Sequence, residues 1–144
     1  MSQSVGRRAA LRVLLSAACA IAVPAQAQDP RASEAQSAAL AWLALTDAND
    51  AQASWASSGA KFRNAITAER WTEGLAKLRV PLGATQRRTL QEAAFARVIP
   101  GLPDGDYALL RFSTLFSGKP DAEESLTLER DPAGVWQVVG YVIR

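Results

Sequence analysis

Three clusters of turn-forming residues cut the C-terminal third of the chain into short pieces. They are Ile99-Pro100-Gly101-Leu102-Pro103-Asp104-Gly105, Gly118-Lys119-Pro120-Asp121 and Asp131-Pro132-Ala133-Gly134. Gly and Pro at this density interrupt helices and central strands alike. The pieces between them alternate in polarity. Over 107–116, Tyr107, Leu109, Arg111 and Ser113 fall on one side, and Ala108, Leu110, Phe112 and Thr114 on the other. Leu126 and Leu128 share one side of 123–130, and 135–143 runs on as a third such piece. Period-two alternation with tight turns predicts an antiparallel meander. Upstream, 85–98 carries mixed signals. Arg87-Arg88-Thr89-Leu90 suits a strand and Glu92-Ala93-Ala94 a helix. It is taken as a fourth strand.

The preceding segment has helical spacing instead. Gln28 to Ala32 is polar, contains Pro30 and reads as a short flexible lead. Ser33 and Gln36 fit a capping box, and Ala35, Ala39, Trp42 and Leu43 follow on one face to about Thr46. Asp47, Asn49 and Asp50 break that run and can cap the next. Ala51, Trp55 and Phe62 then predict a second helix, loosened at Ser57-Ser58-Gly59. Thr67 can cap a third helix, with Trp71, Leu75 and Leu78 on its inward face. Helices first and strands afterwards predict an α+β domain: N-terminal helices packed on a curved antiparallel sheet of about four strands. A sheet curled around helices gives a cystatin-like or nuclear-transport-factor-like cone, a fold that does not itself specify an activity.

The N-terminus has a separate logic. Arg7, Arg8 and Arg12 precede an apolar run over 13–23, Pro24 breaks it, and Ala25-Gln26-Ala27 follows. A basic start, a short apolar core and a small-x-small site are the parts of a secretory signal peptide. The run is about half of the ~20 residues a permanent membrane helix needs. The expectation is cleavage after Ala27, a single domain over 28–144, and a periplasmic or secreted location. Contact with the membrane is expected only through the export signal.

Cleavage takes Lys plus Arg from 16 to 13 against 14 acids, so the mature chain is near −1 rather than +2. That removes the electrostatic case for nucleic acid as a partner. The chain's one Cys, Cys19, leaves with the signal, so no disulfide supports the domain.

Several stretches together resemble a known group. They are the Trp42 helix, Ser54-Trp55, Phe62, Trp71, Arg79-Val80-Pro81-Leu82-Gly83, Arg87, Pro103-Asp104-Gly105-Asp106-Tyr107, Glu124, and the ending Gly134-Val135-Trp136-Gln137-Val138-Val139-Gly140-Tyr141. The ordered set is similar to the bacterial exported family filed as domain of unknown function 4019. Gln52 departs from it, standing where an aromatic or larger residue is expected. The resemblance implies an exported single domain and carries no activity with it.

The available chemistry is narrow. With no His, and no Cys after cleavage, triads of the usual kind and typical zinc or iron sites are excluded. The glycines are scattered and form no phosphate loop. Asp47-Ala48-Asn49-Asp50 lacks the Gly and the terminal Glu of a calcium loop. No cofactor is expected. Carboxylates and arginines remain. Glu124 or Asp106 can serve as a base if one lines an apolar pocket. Arg79, Arg87 or Arg111 can pair with Glu124 across the sheet or face an anionic ligand. The four Trp residues read as core first and as pocket lining second. Trp136 and Tyr141, five apart, share a face only if their strand bulges. The candidate ligand-binding residues are thus Trp71, Arg79, Arg87, Arg111, Glu124 and Tyr141. Three functions stay open: a non-enzymatic domain that binds an envelope protein or a small ligand, a small-molecule isomerase or hydrolase using a pocket carboxylate, and a self-associating structural subunit.

Overall fold

The structure is a computed structural model that describes residues 29–144, so the export-signal expectation over 1–27 lies outside the described residues. Four helices precede four strands: α1 (Pro30–Asp47), α2 (Ala51–Ser57), α3 (Ala60–Ala65), α4 (Ala68–Arg79), β1 (Thr85–Ala96), β2 (Tyr107–Phe116), β3 (Lys119–Arg130) and β4 (Trp136–Ile143). The strands form one antiparallel sheet in the order β1-β2-β3-β4. The domain is α+β, with the helices on one face of an open sheet.

The first helix begins earlier than the capping box predicts. Asp29 is its N-cap, its carboxylate accepting the Arg31 backbone N–H at 3.0 Å. Pro30 occupies the first turn, where its missing N–H costs nothing. The expected flexible lead from Asp29 onward is therefore helix start, and Ser33 lies inside the helix. The expected second helix is two helices. Ser58 and Gly59 are both extended there (ψ 159° and 160°), which turns the chain between α2 and α3. The break has a purpose in the packing: the Gly59 N–H donates to the Val138 carbonyl at 2.8 Å, tying this corner to the β4 edge. Asp50 and Thr67 cap α2 and α4 as expected from their side chains.

Helix α1 lies across the inner sheet face, burying Ala35, Ala39, Trp42, Leu43 and Thr46. The two fully buried alanines let its backbone approach the sheet closely. From the sheet come Ala108, Leu110 and Phe112 of β2, Leu126 and Leu128 of β3, and Trp136 and Val138 of β4. Aromatic side chains fill the space beneath the helices. Trp42 stands 6.0 Å from Phe62, 5.8 Å from Trp71 and 5.1 Å from Tyr141, centroid to centroid. Among the described residues no helix is long and apolar enough to cross a membrane.

The β2–β3 hairpin is closed by contact with the loop after α4. The Gly118 N–H donates to the Leu82 carbonyl at 2.8 Å. A Cβ on Gly118 would stand 2.4 Å from the Pro81 carbonyl oxygen, a backbone atom with no rotamer to escape by. Gly118→Ala is expected to destabilise by about 1–3 kcal/mol. It should appear as a lower urea midpoint at unchanged slope. At Gly74, inside α4, an added Cβ meets nothing within 4 Å. Gly74→Ala should instead stabilise by about 0.5–1 kcal/mol through helix propensity.

Candidate functional site

Strand β3 places Ala122, Glu124, Leu126 and Leu128 in one row facing the helices, so the period-two rule carries one acid into the core. Glu124 is fully buried. A buried carboxylate is tolerable only when paired and hydrogen-bonded. Glu124 is both. Oε1 accepts Arg88 Nε at 2.7 Å and the Thr114 hydroxyl at 2.5 Å, and Oε2 accepts the Tyr141 hydroxyl.

The network extends to the ends of two helices. Asp47 is the last residue of α1, where a negative charge opposes the helix dipole. Two arginines offset this. Arg88 grips Asp47 bidentately, Nη1 to Oδ2 at 2.8 Å and Nη2 to Oδ1 at 2.9 Å. Arg79, from the last turn of α4, donates through Nη2 to Asp47 and to Thr85. Its other terminal nitrogen, Nη1, is buried, has no hydrogen-bond partner, and lies 3.8 Å from Glu124 Oε2. The Arg79 guanidinium stacks over Phe116 at 4.8 Å. Two guanidinium groups thus face two carboxylates, and the four charges join α1, α4, β1 and β3.

Ionisation follows the geometry. Burial alone would raise the Asp47 carboxyl, but the hydrogen bonds and charge of Arg88, with Thr85 and Arg79, outweigh it and hold the group below the ordinary carboxylate range. Arg88 is pushed the other way: burial works against its charge, yet Asp47 and Glu124 raise it above the usual guanidinium value. Burial first, and then the Glu124 charge, push the Tyr141 hydroxyl up, so it remains a donor to Glu124. Because Asp47 has a depressed folded pKa, its stabilisation is present above the unfolded carboxyl value and is lost as pH falls through the folded one. Wild-type stability should therefore decline as pH falls below the ordinary carboxyl value of 3.8. Asp47→Asn should flatten part of that decline in urea titrations taken across the range.

The residues singled out from sequence part company here. Arg79, Glu124 and Tyr141 meet. Arg87 does not join them: it is exposed, on the opposite side of β1 from its neighbour Arg88. Arg111 is on the outer sheet face, 2.8 Å from Glu92 and 3.8 Å from Glu123, and far from pairing with Glu124. Trp71 is core: its indole N–H donates to Ser54 Oγ at 2.9 Å and its ring packs on Phe62 at 5.1 Å. Asp106 sits at the base of the β1–β2 loop, its carbonyl accepting the Arg130 N–H.

Sequence reasoning missed Arg88, Asp47, Thr85 and Thr114. For Arg88 a signal existed: counting back by two from the inward Leu90 selects 88 and not 87. For Asp47 none did, since its helix reads as ending in a cap. Trp136 and Tyr141 do share the inner face. Thr127 pairs with Gly140 and Leu128 with Val138, so Val139 is the extra residue of a bulge that supplies the condition set from sequence.

The chemistry this arrangement can perform is limited. Glu124 is sealed by α1, α4 and three strands, and its partners occupy both oxygens. Its carboxylate acts as a tie between elements.

Neither the curated proteins nor the solved structures contain a match to the chain. A family model described as a protein of unknown function, DUF4019, matches residues 38–141. That span runs from the middle of α1 through Tyr141 and holds every member of the buried charge network. On this match the chain belongs to the DUF4019 family.

Proposed function

We propose that this chain is an exported cell-envelope protein whose single domain works by binding rather than by catalysis. The export half rests on the signal-peptide pattern over 1–27. The binding half rests chiefly on one observation: Glu124, the only fully buried acid among the described residues, is bonded to Arg88, Thr114 and Tyr141. A general base must reach the proton it removes. Here three donors stand where a substrate would have to be.

The outer sheet face is mixed: Glu92, Arg111 and Glu123 break up a shallow groove that also holds Ala94 and Leu109. This does not favour broad apolar self-association. Native mass spectra of protein purified from the cell envelope test the reading. A chain starting at Gln28 that carries a partner or small molecule supports it. A chain retaining 1–27 overturns the export half. Turnover of a carbonyl or ester substrate that disappears in Glu124→Gln while the fold persists overturns the binding half.

A further inference from the structure

At the end of the sheet opposite the buried network, three arginines surround one opening. Arg31 comes from the first turn of α1, Arg97 from the loop after β1, and Arg130 from the end of β3. With Phe95 and Asp106 they line a cavity of about 350 Å³. Two of the three cations are seated on aromatic rings. Arg31 lies over Phe95 at 4.4 Å, and Arg130 over Trp136 at 5.8 Å. The two rings meet at 6.0 Å with a 50° tilt, so the two guanidinium groups flank one aromatic pair. A ring beneath each guanidinium restricts side chains that otherwise sample many rotamers, and the N–H groups not already given to Asp29 or the Gly134 carbonyl remain to donate.

Two more observations mark the corner. Trp136 is only 6 % exposed, yet its indole nitrogen is buried with no hydrogen-bond partner. The other three indoles all donate, to Ser54, Ser58 or Ile66. Arg97 is exposed and makes no ion pair among the described residues. The remaining two arginines already hold carboxylates: Arg31 grips Asp29 through Nε and Nη2, at 2.7–3.2 Å, and Arg130 lies 3.8 Å from Glu34.

We infer that this corner is a binding site for a small oxyanion, a carboxylate or a phosphate, held by Arg97 together with Arg31 and Arg130. Guanidinium forks match both anions in geometry and charge. Asp29 and Glu34 are the chain's own competitors for the same donors, and Asp106 offers an acceptor to a hydroxyl or ammonium on the same ligand. The inference rests on the binding-domain reading and gives that reading a ligand chemistry.

The test is titration of the purified protein with benzoate and, separately, with inorganic phosphate, followed by the indole N–H resonances of its four Trp residues. The expected result is a saturable shift of the Trp136 signal larger than those of Trp42, Trp55 and Trp71. Arg97→Gln should weaken the response about tenfold, as loss of a charge-assisted donor does. Asp29→Asn keeps a good helix cap and removes a competing carboxylate, so it should tighten binding about threefold. Arg87→Gln, at an exposed arginine outside the corner, should change nothing. Saturation by benzoate alone assigns an organic carboxylate, and by phosphate alone a phosphate. A flat response to both, or an equal loss in Arg87→Gln, overturns the inference. Should envelope-purified protein carry a partner while these titrations stay flat, the oxyanion site fails and the binding-domain reading stands.

Discussion

Replacing Glu124 by Gln should cost about 3–5 kcal/mol, because it strands buried arginine charge without its counter-ion. The substitution is nearly isosteric, so no cavity contributes. Thr114 and Tyr141 can still bond to an amide. What is lost is the negative charge facing Arg88 Nε at 2.7 Å and Arg79 Nη1 at 3.8 Å, with Asp47 left alone against two guanidinium groups. A domain of this size has a total stability of about 5–15 kcal/mol, so the variant should sit near the edge of folding. Urea unfolding reads the loss as a lower midpoint at unchanged slope. A double-mutant cycle with Arg88→Gln separates pairing from other effects. The coupling should be at least about 1 kcal/mol, and the double variant should cost less than the sum of the singles. A Glu124→Gln variant within about 0.5 kcal/mol of wild type would mean that the carboxylate is reachable by water. That result would return Glu124 to the list of candidate bases and weaken the binding reading.

The meander and the α+β class were legible because each rests on local chemistry; the start of β3 was not, since Lys119, Pro120 and Asp121, read as part of a turn, already belong to the strand. Turn clusters stop strands, and period-two alternation selects faces; 107–116 is β2 without adjustment. The helix starts were less legible where two caps compete. Asp29 and Ser33 each fit an N-cap, and the choice goes to Asp29 because Pro30 is suited to the first turn and Arg31 clamps the cap from the side. The site was only half legible. Glu124 was visible as a candidate acid on a strand, but its partners come from sequence distances of 36 for Arg88 and 10 for Thr114. Which of two adjacent arginines turns inward depends on register. β1 has irregularities between Thr85 and Arg87 and between Leu90 and Glu92, so the phase cannot be carried along the whole strand. Asp47 was beyond reach for another reason. An acid at a helix C-terminus is locally unfavourable, and only tertiary partners reverse that.

Trp42→Ala is the second large effect expected, about 3–5 kcal/mol. Trp42 is 3 % exposed and touches three other rings, so truncation opens a cavity that the rigid aromatic cluster cannot close. Its indole N–H also donates to the Ser54 carbonyl and to Ser58 Oγ, each at 2.9 Å. Those two acceptors hold the α2 end and the Ser58-Gly59 break in place. Trp42→Phe keeps one aromatic ring but loses the other together with the donor, so it should cost less than the alanine, about 2–3 kcal/mol, from a smaller cavity and an unmade buried hydrogen bond. Leu40→Ala, on the outer side of the same helix at 39 % exposure, should stay within about 0.5 kcal/mol. The order Trp42→Ala, Trp42→Phe, Leu40→Ala in urea midpoints tests whether α1 is held by this one anchor. The consequence reaches function, because α1 carries Asp47 at one end and Arg31 at the other. Loosening its middle should weaken the buried charge network and the arginine corner together. A Trp42→Ala protein that remains folded should therefore show both a flatter acid-side stability profile and weaker benzoate binding. If only one of the two changes, the helix is not transmitting the effect, and the two ends are docked independently.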